Sequence, residues 1–174
     1  EDILPLLLQI RTEIASLDDP YWRSVKLKEI EQLIKACAGL YIEAVTGEAS
    51  ATPGDSVSIE IETTVRRPMP IEVSIAQVEM KNIRFDTSLN QQLGLYKQFN
   101  QQHQFYYTVG LPEDMPYSTP YWLKHPWSNG MYSVADPTKI GQAQNDPAIP
   151  VGIDIRFGKQ IIRYDVPLQY KRVD

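Results

Sequence analysis

The sequence predicts an α+β protein in which an antiparallel helical hairpin over residues 1–46 precedes an antiparallel β-sandwich over residues 47–174. Apolar residues recur every three or four positions as far as about Val45 and every second position thereafter, the two periods that separate helices from strands. Thr46-Gly47 and Thr52-Pro53-Gly54-Asp55 punctuate that change, with residues that break regular structure. The later segments amount to roughly six or seven strands, and no repeating helix–strand unit of the kind that builds parallel sheets is present.

In the first helix, Ile3, Leu7, Ile10, Ile14 and Leu17 fall along one side, while Leu4, Leu6 and Leu8 make the first turns apolar around most of their circumference. Such turns are poorly hidden at a free end, so they predict burial against a missing upstream domain. The start at Glu1, without an initiator methionine, fits a part excised from a longer protein. Asp19 is placed to cap the second helix and Pro20 to open it, where its missing N–H does no harm. That helix is expected to run to about Val45, with Ile30, Ile34, Cys37, Leu40 and Ala44 on its apolar side and Lys26, Lys28, Glu29 and Lys35 on its wet side. The mixed charge favours packing against protein over lying on a membrane surface. Gly39 within it either permits close packing or shortens the helix.

Val57, Ile59 and Ile61 then alternate with Ser58, Glu60 and Glu62, and Arg66-Arg67-Pro68-Met69-Pro70 reads as a stiff turn. Ile71, Val73 and Ile75 alternate before the parity shifts to Val78 and Met80, which predicts a bend or bulge near Ala76-Gln77. Ile83 and Phe85 extend this region as a short strand, and the amide-rich run from Asn90 to Gln102 reads as a long loop. Phe105, Tyr107 and Val109 resume strand periodicity, and Met131 to Val134 makes a brief strand. Val151 to Phe157 and Ile162 to Tyr170 form a hairpin through Gly158-Lys159-Gln160, with Pro167 placing the last strand at an edge or bulge.

A chain of 174 residues can bury a core without metals or disulfides. With 22 acidic and 17 basic residues, the net charge of −5 gives no electrostatic reason to expect nucleic acid or an anionic membrane as partner. No stretch approaches the roughly 20 apolar residues of a transmembrane helix. Cys37 is the single cysteine, so no internal disulfide forms; its apolar helical setting predicts a buried structural residue. Cys37, His103 and His125 make no zinc-binding pattern. Glu113-Asp114 sit side by side in a proline-bounded loop, as solvated turn residues rather than a catalytic carboxylate pair. Ser118, His125 and Asp114 lack a nucleophile elbow, and Gly54-Asp55 lacks the spacing of a phosphate loop. No catalytic, cofactor-binding or metal residue is therefore assigned, and no cofactor is expected in this chain.

The densest group of adhesive side chains is Tyr117-Ser-Thr-Pro-Tyr-Trp-Leu-Lys-His-Pro-Trp127. Tyr117, Tyr121, Trp122 and Trp127, with Lys124 and His125 as polar neighbours, are the candidate interface or glycan-binding residues. Exposed rings would cover the C–H faces of sugars, and buried ones would pack on the sandwich or on a neighbouring enzyme domain. The fixed proline spacing favours packing, with Trp122 as the anchor.

Pro53-Gly-Asp-Ser-Val-Ser-Ile-Glu60, Leu111-Pro-Glu-Asp-Met-Pro-Tyr-Ser-Thr-Pro-Tyr-Trp-Leu123 and Val166-Pro-Leu-Gln-Tyr170 together resemble the non-catalytic C-terminal part of large bacterial LmbE-like, or PIG-L family, deacetylases. The likeness covers most of the chain, and Thr-Pro-Tyr-Trp-Leu is its most specific piece. The Pro-Gly-led first strand also resembles the immunoglobulin-like accessory sandwiches of sugar-active enzymes. What the resemblance implies is a parent enzyme that removes N-acetyl groups from amino sugars with zinc, in a periplasmic or secreted setting. The zinc would belong to that parent's catalytic domain alone, because the family's Ala-His-Pro-Asp-Asp pattern is absent here. The expected role is a structural accessory domain whose partner is the missing catalytic domain of the same polypeptide. A carbohydrate-binding module is the alternative, and a stand-alone hydrolase comes third.

Overall fold

Two helices lead into six strands across residues 3–68, 73–80 and 100–172, which the computed structural model describes. Helix α1 is Leu4–Ala15 and α2 is Pro20–Cys37; the strands are β1 (Leu40–Thr46), β2 (Ser56–Val65), β3 (Val73–Met80), β4 (Gln102–Gly110), β5 (Pro150–Phe157) and β6 (Gln160–Tyr170). The protein is α+β, and its helices form a hairpin. Among the described residues, no helix is long and apolar enough to cross a membrane. Met69 to Ile71, Ile83, Phe85 and most of the amide-rich run lie outside the described residues.

Helix α1 buries Leu4, Leu7 and Leu8, which share one stripe at the helical spacing of three and four. Arg11, a turn further along, pairs with Glu31 of α2 at 2.8 Å. Of the residues expected along one side of this helix, Leu7 is buried and Ile14 partly so, whereas Ile3 and Ile10 are 54% and 47% exposed and Leu17, 40% exposed, falls beyond the helix end at Ala15. The helix carries two adjacent apolar stripes, and the one with three leucines docks on this chain's own core, so the expected burial of Leu4 and Leu8 against a missing upstream domain is corrected and only Leu6 of that group stays exposed.

Asp19 caps α2 as expected, its carboxylate accepting from the N–H groups of Tyr21 (2.9 Å) and Trp22 (3.1 Å). The helix ends at Cys37 rather than near Val45. Gly39 adopts φ +59°, a left-handed conformation in which a side chain is strained. Its N–H donates to Ala36 O at 3.0 Å, and its carbonyl accepts from Arg66 N at 3.0 Å. Leu40 to Thr46 is consequently a strand, with Leu40, Ile42, Ala44 and Thr46 buried on one face. Cys37, at the end of the shortened helix, is half-buried against the core rather than enclosed.

A Cβ on Gly39 would lie 3.2 Å from the Cβ of Arg66. Gly39→Ala is therefore expected to lower stability by about 1–2 kcal/mol, the cost of the left-handed conformation for an L-residue. Urea unfolding measures it, and an unchanged midpoint would show that this turn relaxes without loss.

The strand order is β3-β5-β6-β1-β2-β4. All pairings are antiparallel except β1 with β6, which is parallel through Ala44↔Leu168, Val45↔Gln169 and Thr46↔Tyr170. The all-antiparallel expectation is corrected at this pair. Pro150 stands opposite Pro167 in the β5–β6 ladder; neither has an N–H to donate, so regular pairing stops there. Past the prolines, β6 takes up β1, and Pro167 marks a change of partner in an interior strand rather than an edge. The bulge expected near Ala76-Gln77 is present as a register shift between Ile75 and Gln77. Met131 makes only an isolated bridge with Ser128, not the brief strand expected over Met131 to Val134.

One apolar cluster joins the elements: Leu4 and Ile34 from the helices, Ile59 and Ile61 from β2, Ile155 and Phe157 from β5. Polar contacts fix the hairpin to β6. Gln160 Nε2 donates to Leu8 O at 2.9 Å, and the Tyr164 hydroxyl donates to Glu31 O at 3.0 Å.

Candidate functional site

The long connection between β4 and β5 carries the aromatic segment, with single 3-10 turns at Tyr121–Leu123 and Pro137–Lys139. It opens on Glu113-Asp114, exposed residues of a turn closed by Met115 N donating to Pro112 O at 3.1 Å. Tyr117 is 76% exposed and Trp127 73%. Tyr121 and Trp122 are half-buried and meet edge to face with ring centres 4.9 Å apart, while Lys124 and His125 are exposed. Trp122 is thus no enclosed anchor, which corrects that expectation. The inward faces of the strands are already filled by their own aliphatic and aromatic residues, so the rings stay at the surface.

Three of the six candidate residues, Tyr117, Tyr121 and Lys124, line an open groove of about 900 Å³; Trp122, His125 and Trp127 lie outside its walls. Val57, Leu111, Met115, Ile149 and Leu168 supply its apolar lining, and Tyr170 from the end of β6 adds a third phenol. The connection between β1 and β2 forms the remaining side, through Glu48, Ser50 and Pro53 among others.

Both local and long-range side-chain bonds order the loops around this groove. Asn145 accepts from Tyr121 N through Oδ1 and donates from Nδ2 to Thr119 O, both at 2.8 Å. The Tyr121 hydroxyl donates to Gln142 O at 2.9 Å. Lys139 pairs with Asp146 at 2.8 Å, and that bond raises the lysine's pKa. Asp136 accepts from Thr138 Oγ1 at 2.7 Å and Thr138 N at 3.0 Å, which holds its pKa below the ordinary carboxylate value. Asp55 is lowered in the same way by Thr52, whose hydroxyl donates at 2.6 Å. On the opposite wall, Glu48 accepts from the Thr46 hydroxyl, which lowers its pKa.

Sequence reasoning missed Glu48, Lys139, Asn145, Asp146 and Tyr170 as groove residues. The Thr52-Pro-Gly-Asp55 and Asp136-Pro-Thr138 patterns, in which short polar side chains fold back on the backbone, were the available signal that these loops are ordered. His103 stands on β4 opposite Thr63, whereas His125 is on the exposed loop. Among the described residues, no group of three or more histidine, cysteine or acidic side chains is placed to hold a metal. Comparison with protein-family models, with curated proteins and with solved structures finds no match.

Proposed function

We propose that this chain is a structural accessory module of a larger sugar deacetylase, and that its helical hairpin forms the junction with the catalytic part. The observation that carries the reading is the second apolar stripe of α1. Ile3 at the N-cap, Leu6 and Ile10, spaced by three and four, are 47–57% exposed, while Leu4, Leu7 and Leu8 beside them are sealed in the core. A helix whose apolar arc is wider than the part its own core covers is suited to a second cover, and a contiguous apolar surface marks an interaction site. Trp22 and Leu33 of α2, 52% and 48% exposed, add to the apolar surface of the hairpin.

The finer fold assigned to this reading is an immunoglobulin-like sandwich. It is supported by the way β6 divides its pairing between β5 and β1, so that β3-β5-β6 and β1-β2-β4 fall on either side of that change within one strand order, and by the buried residues that strands of both groups give to one core. The link to a deacetylase rests on the motifs from Pro53, Leu111 and Val166 set out above. Zinc and catalysis belong to the parent's catalytic domain in this reading, and the isolated chain releases no acetate from N-acetylglucosamine substrates.

Amide hydrogen exchange tests the junction. Over residues 3–17, exchange should be slower in the full-length polypeptide than in the isolated chain, and Leu6→Asp with Ile10→Asp should return it to the isolated rate. Both side chains are exposed in the isolated chain, so the double variant should fold there normally. Equal exchange in the two contexts would sink the junction reading.

A further inference from the structure

We propose that the groove between the β1–β2 connection and the aromatic segment is a binding site for a neutral oligosaccharide. Its size falls within the range of roughly 300–1,000 Å³ usual for ligand sites, at about 900 Å³. Its chemistry selects the class. The ionisable groups other than phenols on its walls are Glu48, Asp146, Lys124 and Lys139, two negative and two positive, so the lining sums to zero.

Two of those charges cancel within the protein, since Lys139 and Asp146 pair at 2.8 Å, and a third group, the Glu48 carboxylate, already accepts from the Thr46 hydroxyl. An anionic ligand would face these carboxylates and a cationic one these ammonium groups, with no surplus of either sign to offset desolvation. What the groove offers instead is phenol faces and neutral hydrogen-bonding groups: Tyr117, Tyr121 and Tyr170 beside Ser50, Ser118 and Asn145. Aromatic faces match the C–H faces of pyranose rings, and hydroxyl and amide groups match ring hydroxyls. The Asn145 bridge and the Tyr121–Gln142 bond hold these groups in place before a ligand arrives, which reduces the ordering cost of binding.

The site is independent of the junction. Strand β6 begins at Gln160, against α1, and ends at Tyr170, in the groove. At about 3.3 Å per residue, its 11 residues separate the two surfaces by roughly 30 Å. A failed glycan experiment therefore leaves the hydrogen-exchange test of the hairpin untouched, and the reverse also holds.

The experiment is an amide NMR titration of the whole chain with cellohexaose, chitohexaose and maltohexaose, with a chitosan hexamer and an oligogalacturonate as charged counterparts. At least one neutral hexasaccharide should bind with Kd between about 10 µM and 1 mM, shifting the amides of residues 48–53, 115–121 and 145–149. Tyr117→Ala, at a position 76% exposed and so safe for the fold, should weaken binding about tenfold or more, as for an aromatic anchor. Trp127→Ala should leave binding unchanged, because that ring is outside the groove. No shifts with any neutral sugar at roughly ten times the upper Kd, binding confined to a charged oligomer, or binding lost with Trp127→Ala and kept with Tyr117→Ala would each overturn the proposal.

Discussion

Phe157→Ala is expected to lower stability by about 3–5 kcal/mol, the loss typical of deleting an enclosed aromatic ring. Phe157 is 1% exposed and ends β5, where it pairs with Gln160, the residue that holds α1 through Leu8 O. The effect should therefore not stay in the sheet. In urea, the helical circular dichroism signal and the tyrosine and tryptophan fluorescence should both shift to a lower midpoint and remain coincident. Ile34→Ala, at a fully buried position of α2, should do the same from the helical side, with a loss of about 2–5 kcal/mol. Trp122→Ala should cost less than Phe157→Ala despite its larger ring, because it is only half-buried. A helical transition that stayed put while the fluorescence moved would show that the hairpin folds apart from the strands.

Raising the pH above about 10 should destabilise the protein through Tyr164. This ring is 3% exposed, and its hydroxyl donates to Glu31 O at 3.0 Å. Burial, and then the negative charge of Glu31, raise its pKa well above the ordinary 10.0. The sign follows from which state loses the proton first. An unfolded tyrosine ionises near pH 10 while the folded one keeps its proton, so stability is present below that value and falls as pH rises towards the folded pKa. The slope contributed by Tyr164 approaches about 1.4 kcal/mol per pH unit in that window. Tyr107, raised by burial, acts in the same direction. Urea midpoints at a series of alkaline pH values would show it, and Tyr164→Phe should flatten the decline while losing about 1 kcal/mol at neutral pH with its hydrogen bond. An identical pH profile in the two proteins would refute the assignment.

Local signals that one element decides alone were readable from the residues. Asp19-Pro20 fixes a helix start because a carboxylate and an imino acid suit only that position. The parity change around Ala76 located the bulge, because side-chain alternation has no slack. The end of α2 was harder: Ile34, Cys37, Leu40, Tyr41 and Ala44 satisfy a helical period, and Leu40, Ile42 and Ala44 satisfy a period of two equally well. Gly39 settles the matter through its φ of +59° and its bond to Arg66, a contact across 27 residues that no local window contains. The two stripes of α1 pose the same difficulty, since hydrophobicity alone does not say which side meets this sheet. In the groove, Tyr117, Tyr121 and Lys124 were recognisable by residue type, but Asn145 joins it through bonds to Thr119 and Tyr121 across more than 20 positions.

The parallel pairing of β1 with β6 also has a mechanical meaning. Both strands run the same way, so tension entering β1 at Leu40 and leaving β6 at Tyr170 pulls them past each other along their length. The three register pairs, the backbone bond from Lys171 N to Thr46 O and the ion pair of Lys171 with Glu43 are then strained together rather than one after another. An antiparallel pair such as β5 and β6, pulled from its open ends, would come apart bond by bond like a zip. The parallel seam is thus the shear-loaded clasp of the strand region.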